Sequence, residues 1–172
     1  TQIEPSEEYG TSYLELVAND LATGEFSGFE PTGKRLRLDF NKTIIPDDTD
    51  PDSDDVRYLA FVASELSLWD GEEQVVSYNI GEPSEEPLFL KGVYGSGSGW
   101  GTSARWLGGP SGETVLFCEG NLADVDRAVL TGQPMRSGEI SADVYVDGVQ
   151  TDTVEFRERD GEFDEYELSL TV

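Results

Sequence analysis

Residues 46–55 read PDDTDPDSDD, with four aspartates, Asp48, Asp50, Asp52 and Asp54, on alternate positions. Carboxylates so spaced suggest a calcium loop, because calcium gathers about six to eight oxygen ligands. The EF-hand form of such a loop needs a glycine at its sixth position and a glutamate at its twelfth. Started at Asp50, that template meets Asp55 and Phe61 there; started at Asp48, it meets Ser53 and Leu59. Pro51 also interrupts the loop, so the EF-hand is excluded. Two readings remain: a weak cation site at Asp48, Asp50, Asp52 and Asp54, or a solvated acidic loop. The second is the commoner outcome in a chain where 36 of 172 residues are acidic.

The other chemically unusual stretch is GVYGSGSGWGTSARWLGGPSG, residues 92–112. A phosphate-binding P-loop needs a lysine after its last glycine, and this stretch has none. Gly99-Trp-Gly101-Thr-Ser-Ala104 imitates a dinucleotide fingerprint, but that fingerprint works only at a strand-to-helix turn of a βαβ unit, which the surrounding pattern lacks. What remains is a glycine-rich loop carrying Tyr94, Trp100 and Trp106, with Arg105 beside them. Such aromatics can anchor a protein interface, stack on sugar rings, or fold back onto their own domain. We take Tyr94, Trp100, Arg105 and Trp106 as the interface candidates.

No catalytic set stands out. The chain has no histidine and one cysteine, Cys118, so Ser-His-Asp and Cys-His arrangements and an internal disulfide are excluded. Paired carboxylates of the glycosidase kind occur all along so acidic a chain, which empties that signal of meaning. No enzyme activity is expected, and no cofactor beyond loosely held cations. Cys118, in TVLFCEG, reads as a small buried apolar residue. Asn41 heads an NKT glycosylation sequon, relevant only outside the cell.

The elements that would hold these residues are mostly strands. ADVYVDGVQTDTVEF alternates on both sides of Asp147-Gly148, and Asp-Gly favours a two-residue hairpin turn. Asp70-Gly71 and Asp160-Gly161 repeat the device. SYLELVA and KRLRLDF read as half-buried strands, the latter with Leu36, Leu38 and Phe40 on one face. Residues 55–69 fit helix or strand and are read as strand because they feed the Asp70-Gly71 turn. One short helix is expected at NLADVDRAVLTG, capped by Asn121 and stopped by Gly132, with Leu122, Val125 and Val129 on one face. With turn residues recurring at short intervals, the expected fold is all-β: one antiparallel β-sandwich of jelly-roll type over 1–172, with at most one short helix. Residues 1–10 read as an extended N-terminal arm.

Charge bounds the partners. Acids outnumber bases 36 to 11, a net charge of -25, and lysine occurs only at Lys34, Lys42 and Lys91. Self-repulsion of that size fades when molar salt shortens the Debye length to about 3 Å. Acids spread along the whole chain therefore indicate adaptation to brine. No basic face can be assembled for nucleic acid, and an anionic membrane surface is disfavoured for the same reason. No apolar run approaches the roughly 20 residues that span a bilayer. The first residues, TQIEPSEEYG, show no secretion signal, and a small first residue is what removal of an initiator Met leaves.

Size, acidity and strand pattern, above all SADVYVDGVQTDTVEF and YELSLTV as closing strands, resemble the single jelly-roll major capsid proteins of internal-membrane icosahedral viruses of halophilic archaea. The resemblance covers most of the chain. It implies a capsid subunit that self-assembles in high salt, alone and with a second jelly-roll capsid protein, in virions assembled in the host cytoplasm. It implies no direct nucleic-acid contact and no membrane insertion. Two other readings stay open: an extracellular carbohydrate- or calcium-binding sandwich module, and a decoration, spike or tail component of such a virus.

Overall fold

The computed structural model describes residues 32–82, 87–135, 139–157 and 161–172. The arm at 1–10, the strand at SYLELVA and Asp160 of the third hairpin turn lie outside them.

Among the described residues eleven strands follow one another: β1 (Gly33–Phe40), β2 (Leu59–Asp70), β3 (Glu73–Asn79), β4 (Leu88–Lys91), β5 (Val93–Gly97), β6 (Ala104–Gly108), β7 (Glu113–Glu119), β8 (Arg127–Pro134), β9 (Ile140–Val146), β10 (Val149–Phe156) and β11 (Asp164–Ser169). One sheet runs β10-β9-β1-β7-β4; the other runs β11-β8-β2-β6-β5, with β3 sharing an edge of β2 with β6. Every pairing is antiparallel. Four of them nest: β1 with β9, β2 with β8, β4 with β7, β5 with β6. The first half of the described chain thus runs as a ribbon against the second, rolled into two facing sheets. This is the all-β sandwich of jelly-roll type that the alternation predicted.

The alternation also explains the core. Leu36, Leu38 and Phe40 of β1 are buried while Arg35, Arg37 and Asp39 between them are not, and Ile140, Ala142, Val144 and Val146 repeat the pattern on β9. Period-2 side chains place these sets on one face, and that face meets Phe61, Ala63, Leu66 and Leu68 of the opposite sheet. At one end of the core Phe61 packs against Phe156 at 4.7 Å and Tyr166 at 5.6 Å. Two of the three predicted Asp-Gly hairpins form, β2–β3 at Asp70-Gly71 and β9–β10 at Asp147-Gly148; the third does not, because β10 pairs with β9 in one sheet and β11 with β8 in the other. Asp147 and Gly148 both take positive φ (48° and 87°), as a type I′ turn demands, and the Asp147 carboxylate accepts the Arg35 N–H at 2.8 Å.

The helix expected over Asn121–Gly132 is not formed. Leu122 and Val125 are buried in a single turn closed by Val125 N–H to Leu122 C=O, and Arg127–Pro134 is strand β8. Ala128, Leu130 and Gly132 alternate inward between β2 and β11, so pairing on both edges outweighs a helical spacing carried by three residues. Among the described residues the helix that does form is one turn, α1 (Pro46–Thr49), started by Pro46 at its first position. Among the described residues no helix is long and apolar enough to cross a membrane.

Cys118 sits in β7 at 1% exposure, and burial pushes its thiol up to about 12. In native protein it is expected to stay silent towards a thiol reagent at pH 8 and to react at once when urea unfolds the chain. Labelling followed by mass spectrometry checks this.

Candidate functional site

The aspartate loop is built by its own polar groups. Asp50 N–H closes α1 on Pro46 C=O at 2.8 Å, and its carboxylate accepts the Asp52 N–H at 3.0 Å. Asp55 is gripped by Arg57 through two hydrogen bonds of 2.9 and 2.6 Å, and those bonds first of all hold its carboxyl below the usual range. Asp48, Asp50, Asp52 and Asp54 are all exposed. Among the described residues no three acidic, cysteine or histidine side chains gather as a metal site would require. One carboxylate of the four is thus occupied in turning the chain, and the set is not drawn to a common point.

The glycine-rich stretch divides its candidates. Trp106 on β6 stands opposite Val62 of β2, and Val62 stands opposite Gln133 of β8. This row lies on the sheet face turned away from the core, because Phe61 and Ala63 on either side of Val62 point inward. Val62 is nonetheless 0% exposed. What covers that face includes the β5–β6 loop: Trp100 folds back to meet Trp106 edge to face, 5.8 Å between centroids at 76°, and reaches Phe163 at 6.4 Å. The loop leaves a groove of about 780 Å³, lined by Trp100, Trp106, Gln133, Met135, Glu162 and Phe163 among others.

Arg105 and Tyr94 are not part of it. Arg105 follows Leu107 to the inner side of β6, where its guanidinium donates to Ile80 C=O (2.8 Å) and Tyr94 C=O (3.3 Å) and lies 5.1 Å from the Phe89 ring centre. It fastens β5 and the end of β3 to the sandwich. The Tyr94 hydroxyl accepts the Tyr58 N–H at 3.2 Å, and Arg57 lies over its ring. The four interface candidates therefore resolve into a tryptophan pair and two structural ties.

Gln133, Met135 and Phe163 were not among the sequence candidates. Gln133 lies just past the segment read as helix, between Gly132 and Pro134, and Phe163 belongs to the run after Asp160-Gly161. The signal that could have found Gln133 is its place in the strand-like alternation of AVLTGQP, where it shares a face with Val129 and Thr131; the bulge at Ser64 lies in β2 and sets Val62, Glu65 and Ser67 opposite them.

A second polar feature lies on the outer face of the other sheet. Glu113, Asp39 and Asp143 are neighbours in register on β7, β1 and β9. Burial raises the Asp39 pKa most; Arg37, 3.1 Å away, opposes this, and Glu113 and Asp143 raise it further. A carboxyl whose folded pKa lies above its unfolded value of 3.8 stabilises the fold below that value and loses the contribution as pH rises through the folded one. Asp39→Asn is therefore expected to raise Tm at pH 7. The gain should shrink towards pH 3.5 and in molar salt, and thermal unfolding over a pH and salt grid reads it.

Comparison of the chain with protein-family models, with curated proteins and with solved structures returns no match.

Proposed function

We propose that the chain is a structural subunit of a virion, a capsid protein that self-assembles in high salt with further copies of itself and a second capsid protein. The observation that supports this best is the nested strand ribbon, rolled into two sheets, in a chain with 36 acids and 11 bases. A rolled sandwich is a rigid block whose loops and edges are free for lateral contacts. At a net charge of -25, two such blocks repel at dilute salt, and molar salt cuts the reach of that repulsion to about 3 Å. Apolar contacts, which salts of the sulfate kind strengthen, then decide association.

Native mass by light scattering, read from molar salt down to dilute buffer alongside far-UV circular dichroism, tests the proposal. Large species at molar salt that dissociate on dilution before secondary structure is lost support it. A monomer at every salt concentration sinks it. One observation, the tryptophan-lined groove, favours a second reading, an extracellular carbohydrate-binding module that works as a monomer.

A further inference from the structure

We infer that the groove between the β5–β6 loop and the outer face of β6 and β8 is a binding site for a neutral, hydroxyl-rich ring, that is, a sugar. The inference concerns the groove alone and holds whether the chain works singly or assembled.

Three observations converge. The first is size and lining: about 780 Å³ lies within the range of small-ligand sites, and aromatic walls with a few polar groups are their usual make-up. Trp100 and Trp106 meet at 76°, so they form a corner rather than a closed stack, and Phe163 continues the wall beyond Trp100. All three rings are half-buried, which leaves ring surface on offer to a ligand.

The second is Gln133. It is 6% exposed, it lines the groove, and its side-chain oxygen is buried with no hydrogen-bond partner. A buried acceptor left unmade costs the fold the full desolvation of that group, and such an exception in a native protein calls for a reason. A ligand that donates an O–H or N–H to Gln133 Oε1 from within the groove removes the defect. The amide holds its donor and acceptor about 2 Å apart, so one ligand hydroxyl can donate to it while a neighbour accepts.

The third is charge. Glu162 on the rim is a second acceptor, and the whole chain carries -25, which disfavours phosphates, sulfates and carboxylates. That leaves neutral and cationic ligands. A quaternary ammonium would satisfy the rings and Glu162 but has no hydrogen to give Gln133. A sugar ring meets all three requirements: a flat C–H face for the indoles, hydroxyl donors for Gln133 and Glu162, and no net charge.

The test uses the full chain in molar salt and follows tryptophan fluorescence while maltotriose, cellotriose, chitotriose, mannotriose and tetramethylammonium are added separately. A saturable change with at least one trisaccharide and none with tetramethylammonium is expected. Gln133→Leu should weaken that binding roughly tenfold, the worth of about one hydrogen bond, while leaving the urea midpoint unchanged or higher because an unmade polar group has been removed. Trp100→Ala, on the loop rather than in a strand, should weaken binding at least as much with the fold intact. The inference is overturned by silence with all four sugars to millimolar levels, by tetramethylammonium binding in their place, or by sugar binding that both variants leave untouched.

Discussion

Phe61→Ala is expected to destabilise the protein by roughly 3 to 5 kcal/mol, the usual loss when a buried aromatic is truncated. Phe61 is 0% exposed, and its ring touches Phe156 at 4.7 Å and Tyr166 at 5.6 Å, edge-on to the latter. Phe156 and Tyr166 also meet each other at 5.0 Å, so removing the central ring breaks contacts contributed by β2, β10 and β11 together. β2, which carries the ring, is paired on both edges and cannot move into the vacated space. Urea unfolding at fixed molar salt, followed by near-UV circular dichroism, measures it. A loss below about 1 kcal/mol, the scale of a surface change, would mean that Phe61 is not the hub of this cluster.

Gly132→Ala is expected to be as damaging, through overpacking rather than a void. The φ of Gly132 is ordinary, so the cost is spatial: an added Cβ would be driven into the Val62 carbonyl and the edge of the Phe61 ring, closer than real Cβ atoms come. A flexible side chain can give way, but the carbonyl belongs to the pairing partner and cannot. Overpacking usually costs about 1 to 3 kcal/mol and more where backbone must move, and here backbone must move. The double variant Phe61→Leu with Gly132→Ala separates the two obstacles. Removing the ring edge should recover little, because the carbonyl stays. Full recovery would show that the ring alone was in the way and that β2 and β8 lie farther apart than their register implies.

The same glycine shows where the sequence was legible and where it was not. Strands whose one face is solvated announce themselves by alternation, and β1, β9 and the Asp147-Gly148 hairpin followed from that rule, with Leu36, Leu38 and Phe40 of β1 placed together on the face that is buried. In NLADVDRAVLTG the same rule was obscured. Leu122, Val125 and Val129 fit a helical stripe, and Gly132 looked like its stop signal, whereas it is glycine because a neighbouring strand and ring leave no room for a side chain. That reason is a contact between residues 70 apart in the chain, and no local pattern carries it. For the candidate site, the two tryptophans were visible as aromatics on a glycine-rich loop. The buried Gln133 beneath them was not, since its environment is made by β2, by a loop some thirty residues upstream and by Phe163 thirty residues downstream. Arg105 is parted from the tryptophans for a similar reason: adjacency in sequence to Trp106 puts it on the opposite side of a strand.

The bulge in β10 between Gln150 and Asp152 has an effect on the outline of the molecule. It turns Thr151 and Asp152 towards β11, where the threonine hydroxyl donates to Ser169 C=O at 2.7 Å and the Asp152 carboxylate accepts the Ser169 N–H at 2.8 Å. Those two backbone groups belong to the last residue of an outermost strand, where an unpaired N–H and C=O are an invitation to a strand from another molecule. With both already engaged by side chains, the two sheets are stitched together along this flank. A foreign strand cannot extend the β11 ladder at Ser169 without first breaking a charge-assisted bond. Growth by strand addition is thus blocked at the Ser169 end of this edge.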